Sequence, residues 1–122
     1  MLVVDDDEDV VSVLVDGLTS YGHEARGVCT AQEALRELAS FRPELAIIDI
    51  SLAWTDGWAL AEQIGKLGLS DPPRLIALSG LADDRDRERS LAVGFTAHLS
   101  KPVRMAKLDA YLRGRGPEPS DR

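Results

Sequence analysis

The sequence predicts an α/β domain in which helices cover both faces of a parallel sheet. Three observations carry this. The runs Leu2–Val4, Leu45–Ile50 and Leu75–Leu78 are short, apolar apart from Asp49 and bounded by charged or turn residues, as strands buried on both faces must be. Segments with apolar residues at helical spacing alternate with them. The chain of 122 residues, 44% hydrophobic and 29% charged, has the length of one domain and the side chains for a core.

The elements follow in order. After Leu2–Val4, the positions Val11, Leu14, Leu18 and Tyr21 recur at helical spacing, and Tyr21-Gly22 supplies a stop. Glu24–Val28 mixes polar and apolar residues and reads as an edge strand. Thr30 is suited to cap a second helix, with Glu33 as its capping-box partner and Ala31, Leu35 and Leu38 as the apolar stripe. Leu45–Ile50 is the third strand, and Leu60, Ala61, Ile64 and Leu67 mark a helix ending near Gly68. Leu75–Leu78 is followed by Asp83–Val93, almost all charge up to Leu91 and the weakest helical pattern. Ala97–Ser100 reads as the other edge, with one side in water, and Met105, Leu108 and Leu112 mark the last helix. Gly114–Arg122, with two prolines, reads as a frayed end.

Composition excludes several classes. The apolar runs fall far short of the roughly 18 residues of a membrane helix, and five acids directly after Val4 leave no signal peptide to read. The single cysteine, Cys29, permits neither an internal disulfide nor a cysteine metal cage, and suits a reducing cytoplasm. Net charge is −7, unevenly placed: residues 1–61 hold 12 acids and 3 bases, net −9, and residues 62–122 hold 9 acids and 11 bases, net +2. Such a chain repels phosphate backbones, so direct nucleic-acid binding is not expected.

The chemistry lies at the strand ends. In open sheets of this kind the site sits at the carboxyl ends of the strands. Those ends carry Asp5-Asp6, Asp49, Ser79-Gly80 and Lys101-Pro102. Asp5-Asp6-Asp7 stands where a dinucleotide fold needs a glycine-rich turn, and would repel a pyrophosphate. Within the acidic block, Asp7, Glu8 and Asp9 are accounted for as first-turn acids facing the helix dipole. Carboxylates converging on one crevice persist by taking up protons, recruiting cations or staying apart. Oxygen ligands without histidine or cysteine suit a hard cation such as Mg²⁺. With a lysine as a point-charge partner for phosphate, the set has the parts for phosphoryl transfer to a carboxylate.

Val3-Val4-Asp5-Asp6-Asp7, Ile48-Asp49, Asp56-Gly57, Ser79-Gly80 and Lys101-Pro102, in this order across residues 2–112, resemble the receiver domain of two-component response regulators. The resemblance implies a flavodoxin-like (βα)5 three-layer sandwich with strand order 2-1-3-4-5, a receiver over 1–114 and a flexible tail over 115–122. It implies that Asp49 is the phosphoacceptor, that Asp6 binds Mg²⁺ directly and Asp5 largely through water, and that the Ser51 backbone carbonyl completes the ligands. Ser79 and Lys101 would contact the phosphoryl oxygens, with the Lys101-Pro102 bond cis; Ser79 and His98 would form the switch. The implied partners are a sensor histidine kinase or histidine phosphotransfer protein, a downstream protein target and a phosphorylation-dependent dimer. The implied role is a cytoplasmic signalling phosphoacceptor rather than an enzyme.

Departures from the family pattern are local. Ala53 replaces a proline usual four residues after the acceptor, Trp54-Thr55 replaces a commoner pair before Asp56-Gly57, and His98 stands where a Tyr or Phe is usual. The run Gly94–Val103 is most similar to receivers of hybrid sensor kinases. Arg85, Arg87, Arg89, Arg104 and Lys107, in the region of the expected readout face, read as a solvated surface. Two other readings stand beside the main one. One is a phosphorylation-independent pseudo-receiver, against which intact Asp6, Asp49 and Lys101 argue. The other is a Mg²⁺-dependent phosphatase, which lacks a second acid two residues after Asp49, where Ser51 sits. With no output domain in the sequence, either a stand-alone regulator or a receiver cut from a longer protein is expected.

Overall fold

The computed structural model describes residues 1–50, 57–80 and 84–114. The expectations for Ser51, Ala53, Trp54, Thr55, Asp56 and the 115–122 tail lie outside these residues, as does Asp83 at the start of the fourth helix. The element order is β1 (Leu2–Val4), α1 (Glu8–Ser20), β2 (Arg26–Val28), α2 (Ala31–Ser40), β3 (Leu45–Asp49), α3 (Gly57–Lys66), β4 (Arg74–Ser79), α4 (Asp84–Ala92), β5 (Phe95–Ser100) and α5 (Met105–Leu112). All strand pairs are parallel, in the order β2-β1-β3-β4-β5.

Every residue of β1 and β3 is buried, because successive side chains enter two different cores. Leu2, Val4, Ala46 and Ile48 pack with Leu38 and Ala34 of α2 and Leu60 and Ile64 of α3. Val3, Ile47 and Ile76 pack on the other face with Leu14 and Leu18 of α1 and Leu108 of α5. Continuous apolar runs are thus the signature of a sheet covered twice.

Helix ends follow the local signals. Asp7 caps α1, accepting from the backbone N–H of Asp9 and Val10, and Glu8 and Asp9 occupy the first turn. Each such acid contributes about 0.3–1 kcal/mol against the dipole. Thr30 caps α2 by accepting from Glu33 N–H, but its hydroxyl donates to the Glu33 carboxylate, so the box closes through the two side chains rather than the Thr30 backbone. A Cβ on Gly27 would lie 2.1 Å from Val11 Cγ1, so the absence of a side chain there lets α1 lie close on β2.

The structure corrects several expectations. β2 begins at Arg26, because the preceding residues serve the turn out of α1, and β5 begins at Phe95. β5 is also less wet than an edge strand suggests: Phe95, Ala97, His98 and Leu99 are buried, since α4 and α5 cover it. Tyr21 and Leu67, expected in apolar stripes, are 39% and 49% exposed; each lies just past its helix end, where the chain turns off the core.

Candidate functional site

Parallel register brings the strand ends together. Val4 pairs with Ile48, so Asp5 and Asp49, the next residues, lie side by side where the sheet order reverses between β1 and β3. On the other side of β3, Asp49 pairs with Leu78, and Ser79 pairs with Ser100, which delivers Ser79 and Lys101 to the same edge. The Lys101 backbone N–H donates to the Ser79 carbonyl. The Lys101-Pro102 bond is cis, as the resemblance implied.

Asp5 and Asp49 are buried, at 1% and 4% exposure, whereas Asp6 faces solvent. Lys101 Nζ donates to Asp5 Oδ2 at 3.1 Å and to Asp49 Oδ2 at 3.3 Å. The other Asp5 oxygen accepts from Asp7 N–H. Burial by itself pushes the Lys101 ammonium down, but the Asp5 hydrogen bond and the charges of Asp49 and Asp5 outweigh it and hold its pKa above the usual lysine value. One oxygen from each of Asp5, Asp6 and Asp49 lies within 4.8 Å of the others. Three carboxylates against one ammonium leave two negative charges, and the donors are hard oxygens, so the cluster fits a divalent cation such as Mg²⁺. The Ser51 carbonyl, expected as a fourth ligand, lies outside the described residues.

Gly57 sets how closely α3 approaches. Its N–H donates to Ile50 O, and a Cβ there would come within 2.7 Å of the Asp49 carbonyl oxygen. Only glycine lets the helix start against the strand that ends in Asp49.

Ser79, 1% exposed, contacts His98 Nε2 through its hydroxyl at 3.0 Å. His98 is 3% exposed, and its Nδ1 lies 2.9 Å from Ser90 Oγ of α4. Ser90 in turn accepts from Trp58 Nε1 of α3 at 2.9 Å. Arg87 donates to the His98 carbonyl, and the Arg89 guanidinium lies 4.0 Å over the Trp58 ring. Arg87 is thus partly buried in a structural contact, which corrects its reading as a solvated face, whereas Arg89 is exposed even with its ring contact, and Arg85, Arg104 and Lys107 are exposed as expected. Ser90 and Trp58 were missed in the sequence. Their signal was a short hydroxyl directly after the charged run Asp84–Arg89 and an aromatic one residue after Gly57. Pairing the two needs the fold.

Among the described residues, no helix is long and apolar enough to cross a membrane. The comparisons agree with the geometry. Residues 1–113 match the family model of the response regulator receiver domain. The transcriptional regulatory protein PrrA of Mycobacterium leprae is 34% identical over 120 residues, covering 95% of this chain and 51% of that protein. The chain spans about half the length of this and other curated regulators it matches. The signal receiver domain of a signal transduction histidine kinase from Syntrophus aciditrophicus superposes with TM-score 0.78 at 30% identity, covering 93% of this chain and 86% of that one. A CheY-like receiver from Methanospirillum hungatei gives TM-score 0.83 at 29% identity, over 93% of this chain and 90% of that one. With a flavodoxin-like sheet whose strand ends gather three aspartates and a lysine, the chain belongs to the response regulator receiver domain family of two-component signalling.

Proposed function

We propose that Asp49 accepts a phosphoryl group from a phosphohistidine of a sensor histidine kinase or histidine phosphotransfer protein, and that the phosphorylated chain changes its protein contacts. The observation that carries this reading is the buried Asp5–Asp49 pair held by one lysine at the reversal of the sheet. An Asp49 carboxylate oxygen attacks phosphorus; the bond to the donor imidazole nitrogen breaks, and that nitrogen keeps the electron pair and takes up a proton. Lys101 shifts its hydrogen bonds from carboxylate to phosphoryl oxygen, opposing the charge spread over the equatorial oxygens. Ser79 donates its hydroxyl to another of these oxygens. Mg²⁺, held by Asp6, Asp49 and the Ser51 carbonyl, with Asp5 mostly through water, would supply charge neutralisation for the transferring group. The added charge of roughly −1.5 to −2 is then read through Ser79 and His98.

In this reading residues 1–114 form the receiver. The protein acts in the cytoplasm on protein partners, a second phosphorylated copy among them, rather than on nucleic acid directly. The phosphorylation-independent alternative is not favoured, because the acidic pair and the lysine are intact. Acetyl phosphate with Mg²⁺ is expected to give one slower band on a phosphate-affinity gel, lost in Asp49→Asn and with chelator. Unchanged labelling of Asp49→Asn would exclude Asp49 as acceptor.

A further inference from the structure

We propose that Trp58 and Ser90 hold His98 in its Nε2–H tautomer, so that His98 donates to Ser79 and turns the Ser79 hydroxyl proton toward the Asp49 crevice. The inference rests on the reading of Asp49 as phosphoacceptor and concerns how this chain orients one hydroxyl of that site. His98 is thereby a positioning residue.

The direction originates at Trp58. An indole N–H can only donate, so Ser90 Oγ is the acceptor in their 2.9 Å contact. Ser90 is fully buried, and among the described residues its hydroxyl has one further partner, His98 Nδ1. Were Nδ1 protonated, Ser90 would accept twice and its own proton would be buried with no acceptor, a costly arrangement. The Ser90 proton therefore goes to Nδ1, and the neutral ring carries its hydrogen on Nε2. The 3.0 Å contact is then Nε2–H donating to Ser79 Oγ. With that bond accepted, the Ser79 proton is directed away from His98. The opposite tautomer would draw it back onto Nε2. Arg87 on the His98 carbonyl and Arg89 over Trp58 fasten the two ends of the relay.

Two measurements on the full chain test this. Long-range proton–nitrogen correlation spectra of labelled protein, with His23→Gln to assign the two histidines, are expected to show His98 with a protonated Nε2 and a bare Nδ1. A dominant Nδ1–H or imidazolium form at neutral pH overturns the proposal. Trp58→Phe and Ser90→Ala are each expected to slow Asp49 labelling by acetyl phosphate about three- to tenfold, as coupling within one network allows, with no further slowing in a Ser79→Ala background. His98→Gln, whose amide nitrogen reaches the Nε2 position, is expected to keep a near-normal rate that His98→Phe loses. Equal slowing in the Ser79→Ala background, or a His98→Gln rate no better than His98→Phe, overturns the proposal. A wild type that takes up no phosphate refutes the functional reading instead, and the tautomer spectrum still decides this one.

Discussion

Replacing Lys101 with methionine keeps most of the aliphatic stem and deletes the ammonium. Asp5 and Asp49, both buried, then lose the ammonium they share. The carboxylate oxygens of the cluster lie within 4.8 Å of one another, and two unit charges about 5 Å apart repel by ~3 kcal/mol at an effective dielectric of 20. Lys101 is 30% exposed and Asp6 opens to solvent, so water screens part of this, and the expected loss is about 1–2 kcal/mol. Urea unfolding at neutral pH in chelator should read it as a lower midpoint with an unchanged slope. Two companion results are expected. The same change should cost much less in an Asp49→Asn background, where one of the repelling charges is gone. Mg²⁺ should stabilise Lys101→Met more than wild type, because the cation meets three carboxylates without the competing ammonium. A loss that is the same in both backgrounds, or a weaker Mg²⁺ response in the variant, would refute the electrostatic account of this crevice.

Two further outcomes follow from particular contacts. Gly57→Ala forces a methyl group against the Asp49 carbonyl and Ile50 Cα; overpacking of this kind costs about 1–3 kcal/mol, and acetyl phosphate labelling should slow with it, whereas wild-type stability and rate would show that α3 shifts freely. At the opposite end of the sheet, Asp109 accepts from Arg113 Nε at 2.7 Å and lies 2.6 Å from His23 Nε2. Burial by itself raises its pKa, but the hydrogen bonds of Arg113 and His23 outweigh that and hold it below the usual aspartate value. A depressed carboxylate contributes stability above its unfolded pKa and loses it as pH falls through the folded one. The stability advantage of wild type over Asp109→Asn should therefore be flat at neutral pH and disappear in the acid range; an advantage that persists there would contradict this.

Much of the site was legible because its residues stand at strand ends. A buried parallel strand announces itself as a short apolar run, so Asp49 after Ile48 and Lys101 after Ser100 could be placed at one edge before any contact was known. The caps Asp7 and Thr30 were legible for a similar reason: capping is decided within four residues. The β5 edge and Arg87 were not, because the contacts of His98, Arg87 and Ser90 depend on which helix crosses which strand. A charged run such as Asp84–Arg89 looks the same whether it is solvated or folded over a histidine.

The chain's linear pattern thus determined the alternation of strands and helices and the identities of the groups at the sheet edge. The residues themselves left open whether the carboxylates take up protons, recruit a cation or stay apart. Only the tertiary structure decided that Val4 runs beside Ile48, that one ammonium serves both Asp5 and Asp49, and that Trp58 reaches Ser79 through Ser90 and His98. The physical reason is range. Hydrophobic periodicity and capping act over a few neighbouring residues, whereas hydrogen-bond satisfaction in a core joins groups such as Trp58 and Ser90 that are 32 residues apart, and their meeting is set by register and packing of the whole sheet.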